Sequence, residues 1–133
     1  MSTYEEKLSI LSELIAFARV DDKMKSSEYA FLIQVALSLG VERSVFEKLL
    51  RQKAKKKILG SQADRIVQFH RLVLLMNIDQ EQHKQEIQKL HEIGLAMGLP
   101  PTAIDQVLEV MHEYPDKIVP PEVLMRIFTA HYN

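Results

Sequence analysis

The chain has 133 residues, 47% of them hydrophobic and 26% charged, with 17 Lys plus Arg against 18 Asp plus Glu and a formal net charge of -1. A chain of this size hides roughly 68% of its unfolded surface on folding, which excludes disorder and removes the need for a metal or disulfide merely to hold a core. The absence of Cys excludes disulfide scaffolds, zinc ribbons, iron-sulfur clusters and thiol nucleophiles, and it fits a reducing compartment.

The longest apolar stretches, residues 14–18 and 72–76, fall far short of the roughly 18 residues of a membrane span. Glu5 and Glu6 stand where a signal peptide would be basic. A cytoplasmic protein with no membrane span is therefore expected.

Taken in chain order, the whole sequence reads as helix: an all-α protein of about seven helices, with no alternating β-branched run. Over about 3–20, Leu8, Leu11, Leu14, Ile15 and Ala18 recur at spacings of three and four. Asp21 and Asp22 break that pattern. A second helix is expected to open near Ser26 as its cap, to turn Tyr29, Leu32, Ile33, Ala36 and Leu37 inward, and to stop before Gly40. A third is expected over about 44–57, with Phe46, Leu49, Leu50 and Ala54 on one side. It would end in Lys53, Lys55, Lys56 and Lys57, cations suited to the negative end of a helix dipole. The fourth, about 61–78, buries Ile66, Phe69, Val73 and Met76 and is expected to be central; a fifth runs from about 82 to 97. Pro100 and Pro101 start the sixth, Tyr114, Pro115 and Asp116 form a turn, and Pro120 with Pro121 opens a C-terminal helix over about 120–132.

Sliding the chain by 58 residues lays Asp21 on Asp79, Glu28 on Glu86, Leu32 on Leu90, Leu37 on Leu95, Gly40 on Gly98 and Leu50 on Leu108. One domain over 1–133 follows, made of two pseudo-repeated three-helix units at about 8–57 and 66–114 with the last helix as a cap.

The repeated polar residues are the candidates for chemistry. Asp21, Asp22 and Glu28 offer three oxygen ligands of the kind that hard divalent cations prefer, and Asp79 and Glu86 repeat the pattern with His83 as an accessory ligand. The competing reading is helix capping by the same carboxylates. The EF-hand pattern is not met, since Lys23 and Lys25 occupy the third and fifth loop positions. His91 falls on Ile33 in the repeat and is expected to be packed or half-buried. Arg51, Lys53, Lys55, Lys56 and Lys57 form a basic patch, read either as a phosphate or acidic-partner surface or as a solvated helix end. No aromatic residue is interleaved for base stacking, which argues against nucleic acid. Glycine-rich phosphate loops, nucleophile elbows and H-E-x-x-H are missing, so no enzyme is expected.

Residues 18–28, A-R-V-D-D-K-M-K-S-S-E, followed by an apolar helix ending in S-L-G-V, resemble the TerB-like family of tellurite-resistance proteins. That family's signature is Ala-x-x-Asp-Gly with Glu seven residues after the Asp, then a helix closed by Leu-Gly, repeated in the second half. Asp21 and Glu28 match the first copy, and Asp79 and Glu86 the second. Leu39 with Gly40 and Met97 with Gly98 match the closing pair. Asp22 and Gln80 stand in place of the Gly, and Asn77 and Ile78 in place of small residues. The likeness spans about 8–111. It implies a single helical domain related to the N-terminal region of the DjlA co-chaperones, with an acidic surface for a divalent cation or a protein partner and a link to stress responses such as tellurite. A structural or self-associating helical adaptor, in the simplest case a homodimer, is the alternative from another class.

Overall fold

The computed structural model of the chain describes residues 3–20, 23–78 and 84–132, the last of these, Tyr132, by its backbone alone. Among the described residues there are seven α-helices and no strand: α1 (Tyr4–Ala18), α2 (Ser26–Ser38), α3 (Arg43–Arg51), α4 (Gln62–Met76), α5 (Lys84–Ala96), α6 (Pro101–Val110) and α7 (Pro121–Tyr132). No helix is long and apolar enough to cross a membrane, among the described residues.

The offset of 58 holds element by element. Helix α4 is α1 displaced by 58 at both ends, α5 is α2 displaced likewise, and α6 starts 58 after α3. Matching caps explain why. Thr3 caps α1 by accepting the Glu6 amide at 3.1 Å, and Ser61, its equivalent, caps α4 by accepting the Asp64 amide at 3.0 Å. Gly40 and Gly98 end α2 and α5 at φ of 76° and 79°. Around each, the amide of the following residue reaches back to the carbonyl five positions earlier: Val41 to Ala36 at 2.9 Å and Leu99 to Gly94 at 3.0 Å. This is the Schellman closure, whose left-handed residue favours glycine.

Helices α1 and α4 are the spine. Helix α1 packs on α2, α3 and α4, while α4 also takes α5 and α7, and α6 packs between α5 and α7. The core joins both units through Leu11, Leu14, Phe17, Phe69, Leu72 and Leu75, all essentially inaccessible. Phe46 packs edge-on against Tyr29 and Phe69 against Phe128, each pair with ring centroids 5.7 Å apart. The spine is also stitched by a buried amide: Gln68 Nε2 donates to the Ile10 carbonyl at 3.3 Å and to Glu13 Oε1 at 3.0 Å. Its Oε1 accepts from Arg71 Nη1 at 3.2 Å.

Three expectations are corrected. The third helix ends at Arg51, not near 57, and residues 53–59 are neither helix nor strand. That segment forms a strap that α1 holds by polar side chains: Ser12 Oγ accepts the Ala54 amide at 3.0 Å, Ser9 Oγ the Lys57 amide at 3.0 Å, and Glu6 Oε2 the Gly60 amide at 3.1 Å. Leu59, 7% exposed, plugs the strap into the core. Leu37 does not turn inward; it is 58% exposed, and its repeat mate Leu95 is 51% exposed. Lys25, not Ser26, is the cap residue of α2, and Glu28 takes over the capping from within the first turn.

Candidate functional site

Asp21, Asp22, Asp79 and His83 lie outside the described residues. Of the expected carboxylates, Glu28 and Glu86 are described. Both sit in the first turn of their helices, α2 and α5, and both are buried, at 3% and 2% exposure. They therefore do not contribute to an open acidic surface, because a first-turn glutamate can fold back over its own helix end. Glu28 does so: its Oε1 accepts the Lys25 amide at 2.8 Å. The capping reading is thus observed for Glu28. Among the described residues no three His, Asp or Glu side chains come close enough together to hold a metal ion. Of the expected ligands each unit has one described carboxylate, Glu28 or Glu86, against the 6–8 oxygens that a Ca²⁺ ion takes.

Three histidines, His70, His91 and His131, tie one element to another. His91 is half-buried, with Nε2 3.6 Å from Asp105 Oδ1 across α5 and α6. His70 Nε2 lies 2.8 Å from the Val119 carbonyl, so that nitrogen donates. His131 bonds Thr102 Oγ1 at 2.9 Å and Gln106 Oε1 at 2.8 Å, tying the end of α7 to α6.

The basic run is rearranged by the strap. Arg51 closes α3, but Lys53, Lys55, Lys56 and Lys57 follow the helix end, so the dipole argument does not apply to them. Lys57 Nζ lies 3.6 Å from Glu5 Oε2 on α1, a solvent-exposed pair worth little. The strap leaves two depressions against α1. One, of about 210 Å³, is lined by Ser9, Ser12, Glu13, Lys53, Lys56 and, from α5, Lys89, with Ala16, Phe17, Ala54 and Ile93 as its apolar wall. The other, of about 370 Å³, shares Ser12, Ala16 and Lys53 and adds Arg19 and Arg51. Arg19 Nη1 donates to the Leu50 carbonyl at 2.8 Å.

Lys89, Arg19, Ser9 and Ser12 were not part of the patch expected from sequence. The two serines did leave a signal: they interrupt the buried side of α1 three positions apart, between Leu8 and Leu14, where a hydroxyl needs a partner from another element. Lys89 lies more than thirty residues away and left none.

One electrostatic shift bears on the strap. The amides of Thr3 first, then Gly60, donate to Glu6 and hold its carboxyl below the usual glutamate value, against a smaller opposing effect of burial.

Compared with protein-family models the chain finds no match, and neither curated proteins nor solved structures give a significant one.

Proposed function

We propose that the chain is a non-enzymatic, TerB-like binding module of the cytoplasm, in which the two segments entering α2 and α5 bind a divalent cation, a protein partner, or the partner through the cation. The observation that carries this reading is the recurrence of a buried glutamate at the same place in both units, Glu28 and Glu86 at 3% and 2% exposure. Each follows an acidic segment, Asp21 with Asp22 in one unit and Asp79 with Glu81 in the other. Burying a carboxylate is costly unless it is bonded or paired. The Lys25 amide bonds Glu28, and it is the recurrence of the burial at one repeat position, next to an acidic segment, that supports the reading. The resemblance at residues 18–28 supports the same reading, as does the link to tellurite and other stress that it implies.

The test is thermal unfolding with and without Ca²⁺, Mg²⁺, Mn²⁺ and Zn²⁺. A cation at about 100 times its Kd stabilises by about 2.7 kcal/mol, on the order of 10 °C for a chain of this size. Glu28→Gln and Glu86→Gln are expected to remove that gain. An unmoved Tm with all four cations contradicts the cation half of the proposal.

A second reading has its own observation. Leu37 and Leu95, repeat mates, are both more than half exposed at the ends of α2 and α5, a paired apolar feature suited to an adaptor surface or homodimer. Light scattering on the wild type and Leu37→Lys/Leu95→Lys decides it: a dimer that the variant splits, unaffected by Glu28→Gln, favours the adaptor.

A further inference from the structure

The groove between α1, the strap and α5 carries a charge and a donor that neither the fold nor the proposed carboxylate function uses. Its first depression presents Lys53, Lys56 and Lys89 around Ser12, with Glu13 as the acid among the described lining residues. Glu13 Oε1 is already engaged by Gln68 Nε2 at 3.0 Å. Arg19 and Arg51 line the adjoining depression, which shares Ser12 and Lys53 with the first. Among the described residues, Lys53, Lys56 and Arg51 have no carboxylate within ion-pair distance, and Lys89 has an exposed partner, Glu92, at 3.7 Å. Like charges gathered at one concavity repel one another, and a bound anion relieves that repulsion.

Ser12 supplies the second observation. It is 7% exposed, and its Oγ accepts the Ala54 amide at 3.0 Å. A hydroxyl also has a proton to donate, and among the described residues no acceptor receives it. Ser9, one turn earlier, differs in this respect: its hydroxyl both accepts from the Lys57 amide and donates to the Lys57 carbonyl, at 3.0 and 3.3 Å. The side chain with the unmatched donor lines both depressions, where the lysines converge.

We infer that this groove is a binding site for the phosphoryl group of a small molecule, with Lys53, Lys56 and Lys89 as charge partners and the Ser12 hydroxyl as an oriented donor. Lysines suit phosphate as point charges, and a dianion matches three cations facing one engaged acid. Of the two adjoining depressions, about 210 and 370 Å³, the larger falls within the small-ligand range. The one aromatic lining them, Phe17, is fully buried and offers no face for a nucleobase to stack on. The site shares no residue with the carboxylate segments, so either proposal can fail without the other.

The test is a titration of the full chain with inorganic phosphate and with glycerol phosphate, at ionic strength matched with chloride and followed by amide chemical shifts. Saturable shifts are expected at Ser12, Ala54 and Lys89. Binding should be at least about tenfold weaker in Lys53→Gln/Lys56→Gln/Lys89→Gln. It should be unchanged in Lys55→Gln, an exposed strap residue that does not line the groove. Tighter binding of the ester points to a phosphorylated organic ligand and equal binding to free phosphate; both support the site. Three results overturn it: no saturable shift with either probe, equal loss in Lys55→Gln, or displacement by a single-stranded oligonucleotide or an acidic peptide at far lower concentration than the ester, which would make the groove a macromolecular surface.

Discussion

In the first unit the chain leaves α3 at Arg51 and returns along α1 as a non-helical strap, whereas in the second it leaves α6 at Val110, passes two short 3₁₀ turns, and returns to α4 as helix α7. The six framework helices match at an offset of 58, so the difference lies in what closes each unit. The returning chain is anchored at equivalent positions of the two spine helices. Ser12 Oγ takes the Ala54 amide, and His70, 58 residues on, meets the Val119 carbonyl at 2.8 Å. Ser9 and Ser12 are small and polar, so backbone can approach α1 closely. Their equivalents on α4 are Val67, which is 43% exposed, and His70, which meets the chain just before α7. The second unit thus closes with a helix that buries Leu124, Ile127 and Phe128, whereas the first closes with a strap held by polar side chains, which forms one wall of the basic groove.

The largest effect that should separate the two closures is Phe128→Ala. Phe128 is fully buried against Phe69, and removing its ring should cost about 3–5 kcal/mol in chemical denaturation. The strap amides should keep their protection once the remaining stability is matched. If the variant loosens strap and α7 together under native conditions, the closures are not separate devices.

A smaller effect tests the likeness of the units. Gly40 and Gly98 hold φ of 76° and 79°, and an added Cβ meets nothing within 4 Å at either. Gly40→Ala and Gly98→Ala should therefore each cost about 1–2 kcal/mol from backbone strain alone, and by similar amounts. Unequal losses would show that the two helix ends are not equivalent.

Smallest is a pH effect confined to the strap side. Glu6 is held below its ordinary value by the Thr3 and Gly60 amides, so its contribution is complete above about pH 4.3, the unfolded value, and is lost as pH falls through the lower folded value. Glu6→Gln should be less stable than the wild type at pH 7 and should approach it in acid. A gap that stays constant down to pH 2 would remove the ionic part of this account.

The repeat was legible in the sequence from six identities at one offset, of which Gly40 and Gly98 answer a backbone requirement, the left-handed turn that survives divergence of packed side chains. The matching caps Thr3 and Ser61 were not among them. The strap was not legible. Residues 52–59 contain neither Gly nor Pro, and Lys, Gln, Ala and Leu are good helix formers, so local propensity extends α3. What overrides it is tertiary: three side chains of α1 accept strap amides, and clustered lysines gain little from helix. The inward placement of Leu37 failed for a related reason. Periodicity assigns a face, but which edge of that face is covered depends on the neighbouring helix. The carboxylates were legible as a repeated pair, whereas the burial of Glu28 and Glu86 was not, because a first-turn glutamate points outward or folds back according to its cap.

Hydrogen exchange at the amides of Ala54, Lys57 and Gly60 tests the central claim most directly. Each is predicted to be protected in the wild type. In Ser9→Ala/Ser12→Ala, Ala54 and Lys57 should lose that protection while Gly60, held by Glu6, and the amides of α7 keep theirs. Free exchange of all three in the wild type, or loss of protection in α7 along with the strap, would contradict the claim that two units of one frame are closed by independent means.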